Sequence, residues 1–500
     1  MGHLARQVMR RRPTPAWRLA LLVAALAPAA HAESGAPAIH VDDGDFTLDA
    51  YNPASDQPSV GGRANLDLRL DNLETKLQAN IESGGLEVGP DPLGASAWGQ
   101  SWTGGQAQLT AIWSPSGTAR LEVSLSNQLK RQLSQLNPLA PGVSGQLTST
   151  QTGSAKVAAI LTPVTPLELQ FGGETTSGGV DTLVYAPAGG SPTASNLRSD
   201  TARVFADLTW RPVARFSLEA GDAVETLGVA VTGTSAAYAY PTPHVVGTLT
   251  PWADGEWKIG AERAVTAPNA AQFATFASVL ATAVRSEPAS FQPDRAWRYT
   301  ASVRQTLPGA IVVSASLIQS NLESVTDLGP VGGGQAPVSI GAGQRREVQV
   351  AFSTPVALPY APGAKLSATA GWRQSQVTDP FTGLRRPISG DAPYQAEIDL
   401  TGVLGSLPVN WGVKAQLSGP QSIYQMSEVD TLSPSAGLGG VINYRAGPVT
   451  VGFQVDNLVG GLRTNTSLYY SGSRASDVID GVRQTHDDSR AFRLSFTRAL

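Results

Sequence analysis

From Ala296 to Arg304 the side chains alternate, with Trp297, Tyr299, Ala301 and Val303 on one side and Arg298, Thr300, Ser302 and Arg304 on the other. A period of two is that of a strand with one apolar and one polar face. Beyond Pro308 and Gly309, the residues Ile311, Val313, Ala315 and Leu317 alternate with Ser314 and Ser316. Proline presets φ and glycine accepts positive φ, so this stretch predicts a β-hairpin. The same texture runs from about residue 62 onward: strand-like segments near ten residues long, Gly and Pro punctuation, and no stretch of helical period.

Short joins fall at 71–72, 115–117, 163–165, 211–212, 253–254, 308–309, 405–407 and 446–447, and one more lies within TPVALPYAPGA, residues 354–364. Much longer polar connections lie near 84–104, 129–152, 177–200, 225–243, 264–295, 321–343, 378–392, 419–435 and 459–489. Short and long alternate, as in outer-membrane barrels, whose periplasmic turns are short and whose extracellular loops are long. A soluble sandwich has no physical reason to sort its connections this way. Nine short-joined pairs, with one strand before and one after, predict about twenty strands, within roughly 18–22. Closure matters because each unpaired backbone group in hydrocarbon costs several kcal/mol, so an open edge does not survive there. The predicted fold is all-β: a transmembrane antiparallel up-and-down β-barrel over residues 62–500.

The amino end changes the picture of where the chain works. Arg6, Arg10, Arg11, Arg12 and Arg18 precede the uncharged run LALLVAALAPAA, residues 19–30, and a small-x-small end at Ala30, His31 and Ala32. That order predicts a secretory signal peptide over 1–32, cleaved after Ala32, and the run is too short to span a bilayer. Residues 33–61 read as a periplasmic or lumenal segment. Residues 1–32 hold five of the 36 basic residues and no acidic one, so the remainder carries 31 basic against 40 acidic, a net charge of −9 with His neutral. Such a balance gives no footprint for nucleic acid. Without cysteine there are no disulfides, and stability rests on hydrogen bonding and burial.

Candidate chemistry is sparse. His40, His244 and His486 are scattered, and VDDGDF, residues 41–46, lacks the spacing of a calcium loop, so no metal or cofactor is expected. THDDS, residues 485–489, sets His486 beside Asp487 and Asp488, where a general base would sit in an outer-membrane hydrolase, but no nucleophile motif accompanies it. No enzyme is expected. Arg298 and Arg304 are the candidate lumen-facing residues, because Trp297 and Tyr299 occupy the opposite face.

The final segment AFRLSFTRAL, residues 491–500, puts Phe492, Leu494, Phe496 and Leu500 on one face. It resembles the terminal signal read by the barrel-assembly machinery, with Leu500 in place of the usual aromatic. Longer segments resemble the barrel half of TonB-dependent receptors: TLTPWADGEWKIGAERAVTAPNAAQFATF (248–276), FQPDRAWRYTASVRQTLPGAIVVSASLIQSNLESV (291–325), and INYRAGPVTVGFQVDNLVGGL (442–462) followed by FRLSFTRAL. The resemblance implies solute uptake or binding across the outer membrane, with contacts to outer-membrane lipid and lipopolysaccharide and an unknown small solute. The family's plug domain and TonB-contacting box are not found after Ala32, which leaves a wide lumen. A separate plug or periplasmic protein, residues 33–61, or the apolar loop 264–295 are the candidates to fill it. The alternative is a non-conducting anchoring barrel.

Overall fold

A computed structural model describes residues 38–40, 45–50, 57–70, 73–88, 98–135, 145–185, 193–231, 234–266, 292–331, 334–405, 407–459, 461–488 and 490–499. Among these, every regular element is a strand. Each consecutive pair of long strands is antiparallel, beginning with Gln57–Leu70 on Leu73–Val88 and ending with Val449–Asp456 on Ala491–Ala499. Ala491–Ala499 then pairs with Asp45–Ala50, and Asp45–Ala50 pairs back onto Gln57–Leu70, so the pairings return to their start. Twenty strands take part in this ring, two of them flanking nine short-joined pairs as the sequence pattern predicts.

The ring begins earlier than residue 62. Asp45–Ala50 is the closing strand, and Ala38–His40 lies antiparallel on the far end of Gln57–Leu70, with Ala38 opposite Arg69. The described part of segment 33–61 therefore belongs to the wall. Its Asp, Gly and Pro content hides the alternation that marks the later strands. The other candidate filler falls largely in 267–291, outside the described residues.

Strands are also longer than ten residues on this side of the ring: Gly145–Val164 has 20 and Thr193–Val213 has 21. Polar alternation there continues the ladder past the apolar band, because backbone pairing does not require apolar side chains. The connections expected near 129–152 and 177–200 shrink accordingly to 136–144 and 186–192. Short turns sit within about three residues of their expected places. At one of them Gly309 and Ala310 take positive φ, 83° and 60°, closing Asp294–Leu307 onto Ile311–Ser324.

Alternation sorts the two faces. Tyr299 (45% exposed), Val303 (40%), Leu317 (55%) and Ile259 (71%) point outward, and so do Val204, Trp372, Ile398 and Phe453. Their neighbours Ser302, Arg304, Ser316, Gln349 and Thr369 line an interior cavity. Large apolar groups cover the outer surface while polar groups hold the inner one, the inverse of a water-soluble protein and the arrangement of a barrel wrapped by hydrocarbon. No described helix is long and apolar enough to cross a membrane, which says nothing about strands.

At the long-loop end three connections fold into sheets of their own. Thr326–Val331 and Gly334–Ser339 form a hairpin. Gln421–Tyr424, Glu428–Leu432, Gly461–Tyr470 and Val478–Asp488 form a separate four-stranded sheet. Tyr469 and Tyr470 lie in that sheet.

Candidate functional site

The inner wall encloses a cavity of about 1610 Å³ between the strands Gly255–Thr266 and Val449–Asp456. Its lining mixes Gly, Ala, Val and Leu with hydroxyl, amide and charged side chains, among them Arg304, Gln349, Gln395, Glu397, Asp399 and Lys414. Much of the charge is matched along the wall. Lys258 Nζ lies 3.0 Å from Glu256 Oε1, and Lys414 Nζ lies 2.9 Å from Glu397 Oε2, which also accepts from Gln416 Nε2 at 3.0 Å. Both pairs are i, i+2 or cross-strand neighbours, which the pleat places on one face.

Of the two arginines picked out by alternation, Arg304 lines this cavity, and its cross-strand neighbours are Glu256 and Ser314. Arg298 stands opposite Glu262 and donates to it from Nη1 at 2.8 Å. Both residues of that pair are 44% exposed, so the pair is worth no more than about 1 kcal/mol.

Nearer the loops the wall becomes more tightly tied. Arg345 holds Asp391 with Nε at 3.2 Å and Nη2 at 3.0 Å to both carboxylate oxygens. Arg373 bridges Glu347 (3.3 Å) and Asp391 (3.6 Å). Glu347 also accepts a very short hydrogen bond from Gln349, which reaches the cavity. Connection 379–393 is thereby anchored to the inner wall through Asp391.

The same connection carries a buried ionic cluster. Arg386 donates to Asp327 (2.8 Å) and Asp379 (2.5 Å), and Arg474 Nη2 also lies 2.5 Å from Asp379. All four side chains are 6% exposed or less. Tyr424 faces both guanidinium groups, at 4.4 and 5.4 Å from its ring centre, and Phe381 faces Arg474 at 5.5 Å. Gln335 joins the hairpin Thr326–Ser339 to connection 419–435 by donating to Gln425 at 3.0 Å and accepting from the Met426 amide at 2.6 Å. One neutral quartet of charges thus staples four loops. Burial alone would raise the Asp379 pKa, but Arg474, the Phe381 amide and Arg386 together hold its carboxyl below the usual range.

Sequence reasoning missed this quartet, although the DPFTG stretch at 379–383 is a turn signal. Asp379 Oδ1 accepts from the amides of Phe381 (2.8 Å) and Thr382 (3.1 Å), and Gly383 closes the turn at φ 70°. Nothing local in the sequence points to the distant partners.

The remaining predicted residues fall in several places. Phe492, Leu494 and Phe496 are 38%, 38% and 42% exposed on the outer face, and the Phe492 ring stacks on Phe453 at 6.3 Å. Leu500 lies outside the described residues. The backbone of His486 pairs with Arg463, and its side chain lies outside the described set. His244 is half-buried on the inner wall, 3.4 Å from Glu219 and 3.7 Å from Asp207. Among the described residues no group of His, Asp and Glu has the arrangement of a metal site.

No protein-family model and no curated protein sequence matches the chain, so likeness to known proteins is carried by the fold. Solved structures do match over almost the whole chain. The ferric-catecholate import receptor Fiu from E. coli K12 superposes with a TM-score of 0.64 at 10% identity, covering 94% of this chain and 78% of its own. The ferric yersiniabactin uptake receptor FyuA from Yersinia pestis gives 0.62 at 12%, covering 94% and 81%. The copper transporter OprC gives 0.61 at 11%, also covering 94% and 81%. With its closed twenty-strand ring, apolar outer face and polar cavity, this chain has the barrel fold of TonB-dependent outer-membrane receptors.

Proposed function

We propose that the protein is an outer-membrane barrel that binds a polar solute against its inner wall during uptake. The observation that carries this reading is the cavity of about 1610 Å³ on the polar face of a ring whose outer face is apolar. Hydroxyl and amide groups exchange hydrogen bonds with a polar solute as readily as with water, and the matched pairs Glu256/Lys258 and Glu397/Lys414 keep the wall free of a strong single-sign field. Iron, copper and siderophore transporters among the structural neighbours support transport as the class of activity. The solute here is a small polar molecule. In this reading residues 1–32 direct export and are removed, the barrel-assembly machinery receives the final strand, and Arg298 and Arg304 face the lumen.

Planar-bilayer recording of the purified, heat-modifiable protein tests the proposal. Current that polar solutes reduce in a saturable manner is expected. A silent barrel that binds no solute would favour the second reading, an anchoring barrel, for which the stapled loop cluster around Arg386 supplies a rigid outward platform.

A further inference from the structure

The four-stranded sheet at the long-loop end has two edges with different surroundings. At one edge, Gln421–Tyr424, the Gly390 amide donates to Ser422 O at 2.9 Å and the Tyr424 amide donates to Ser389 Oγ at 3.3 Å. Connection 379–393 therefore closes that side. At the other edge, Val478–Asp488 is 11 residues long, and no described strand pairs with its outer side. Val478 and Ile479 are 53% and 68% exposed, and Gly481, Arg483 and Thr485 are exposed too.

The ladder fixes which backbone groups that edge presents. Tyr470 N donates to Ser427 O and Ser433 N to Thr464 O, so the even residues of Gly461–Tyr470 bond toward Glu428–Leu432. Its odd residues bond the other way, and Tyr469, Ser467 and Asn465 stand opposite Asp480, Val482 and Gln484. The N–H and C=O groups of Gly481, Arg483 and Thr485 consequently point away from the sheet. Successive side chains stand above and below a sheet, so the charges of Asp480 and Arg483 leave the edge itself open. A long edge without proline or cover is a template for another strand. Residues 477–488 hold Asp477, Asp480, Asp487 and Asp488 against Arg483, so four acidic residues and one basic residue give a net charge of −3 with His486 neutral.

We propose that Val478–Asp488 is a docking strand, which an extended, net-basic segment of a second protein joins by backbone pairing at the long-loop end. The outward N–H and C=O groups supply the affinity, the acidic stretch selects a basic partner, and Val478 and Ile479 receive its apolar side chains. The proposal depends on the outer-membrane reading only for the side of the membrane that the sheet faces. It stands whether or not the lumen passes a solute.

The test uses the full-length protein in a neutral detergent and the fluorescent peptide acetyl-VKVKVKVKVK-amide, followed by anisotropy. Saturable binding is expected, with amide exchange slowed over 478–488 and unchanged in the barrel strands. Arg483→Pro removes one outward donor and one positive charge. Charge attraction alone would make this variant bind the cationic peptide more tightly, whereas backbone pairing makes it bind about tenfold more weakly. Arg483→Gln keeps the donor and is expected to bind at least as tightly as the wild type. The same peptide with every backbone nitrogen methylated keeps its charge and is expected not to bind. No saturable binding by the wild type, equal binding of the methylated peptide, or tighter binding by Arg483→Pro would each overturn the proposal. Should Arg483→Pro disrupt the loop sheet, seen as faster exchange over 421–432 and 461–470 without peptide, the methylated peptide against the wild type decides the matter. Conductance is recorded separately, so a silent barrel that binds the peptide defeats only the uptake reading.

Discussion

Arg386 Nη1 donates to Asp327 Oδ2 at 2.8 Å across 59 residues of chain, and both side chains are almost inaccessible to water. The contact joins a hairpin and a connection that share no strand pairing, so the loop cluster depends on buried charges and not on the barrel ladder. Removing one member of such a cluster leaves an uncompensated buried carboxylate. Arg386→Met is expected to cost the cluster about 3–5 kcal/mol. Hydrogen exchange read by mass spectrometry should accelerate at 326–339, 379–393 and 421–432 while the barrel strands stay protected. Uniform acceleration over the barrel would contradict this picture.

Acidity should act on the loops in two opposite steps. The Asp379 carboxyl is held below the ordinary range, so its contribution is complete above the unfolded value near 3.9 and is lost as pH falls through the folded one. Glu428 behaves inversely, because burial and the neighbouring Asp430 carboxylate raise it. Its protonated form is favoured in the fold, so stability from this group is complete below its unfolded value and declines as pH rises through the folded one. Loop protection, corrected for intrinsic exchange, should therefore pass through a maximum in the mildly acidic range. Glu428→Gln is expected to flatten the high-pH side and leave the low-pH side unchanged.

The two faces of one hairpin should respond oppositely to charge. Leu317→Arg sets a cation on the outer face, two residues short of the first outward amide Gln319, and is expected to cost about 1–2 kcal/mol, between the interfacial and midplane values. Ser316→Arg, one residue away and lining the cavity, is expected to cost less than about 1 kcal/mol, because the group stays in water. Urea titration of both variants folded into liposomes separates them. Equal penalties would mean that the outer face does not meet lipid.

Two glycines of the inner wall leave no room for a side chain. A Cβ at Gly172 would lie 2.9 Å from Phe205 Cζ and 2.2 Å from the Val157 carbonyl oxygen, and one at Gly221 would lie 2.1 Å from Asp207 Oδ1. Gly172→Ala is expected to destabilise by about 1–3 kcal/mol through overpacking. Gly173→Ala, where the nearest atom would be 3.7 Å away, is the matched control and should be close to neutral in the same urea titration.

Arg304 lines the cavity while Arg298 is matched by Glu262. Arg304→Glu is therefore expected to shift the anion-to-cation permeability ratio toward cations, and Arg298→Gln to change it little. Reversal potentials under a salt gradient provide the measurement.

The alternation at 296–317 determined the hairpin, its turn and the face of every residue in it, because the direction of a strand side chain is set by backbone pleat alone. The alternation of short and long connections determined the ring of twenty, since closure in hydrocarbon permits no loose edge. The closing strand Asp45–Ala50 was less legible, as its pattern is short and interrupted by acidic residues. What tertiary structure alone decided is the long-loop end. Asp327, Asp379 and Arg474 are single charges and Arg386 is one of an adjacent pair, in Gly- and Pro-rich connections with no period to announce them. Their pairing depends on which loops meet in space, a relation that local backbone geometry does not encode and that burial of opposite charges fixes only after the ring has closed.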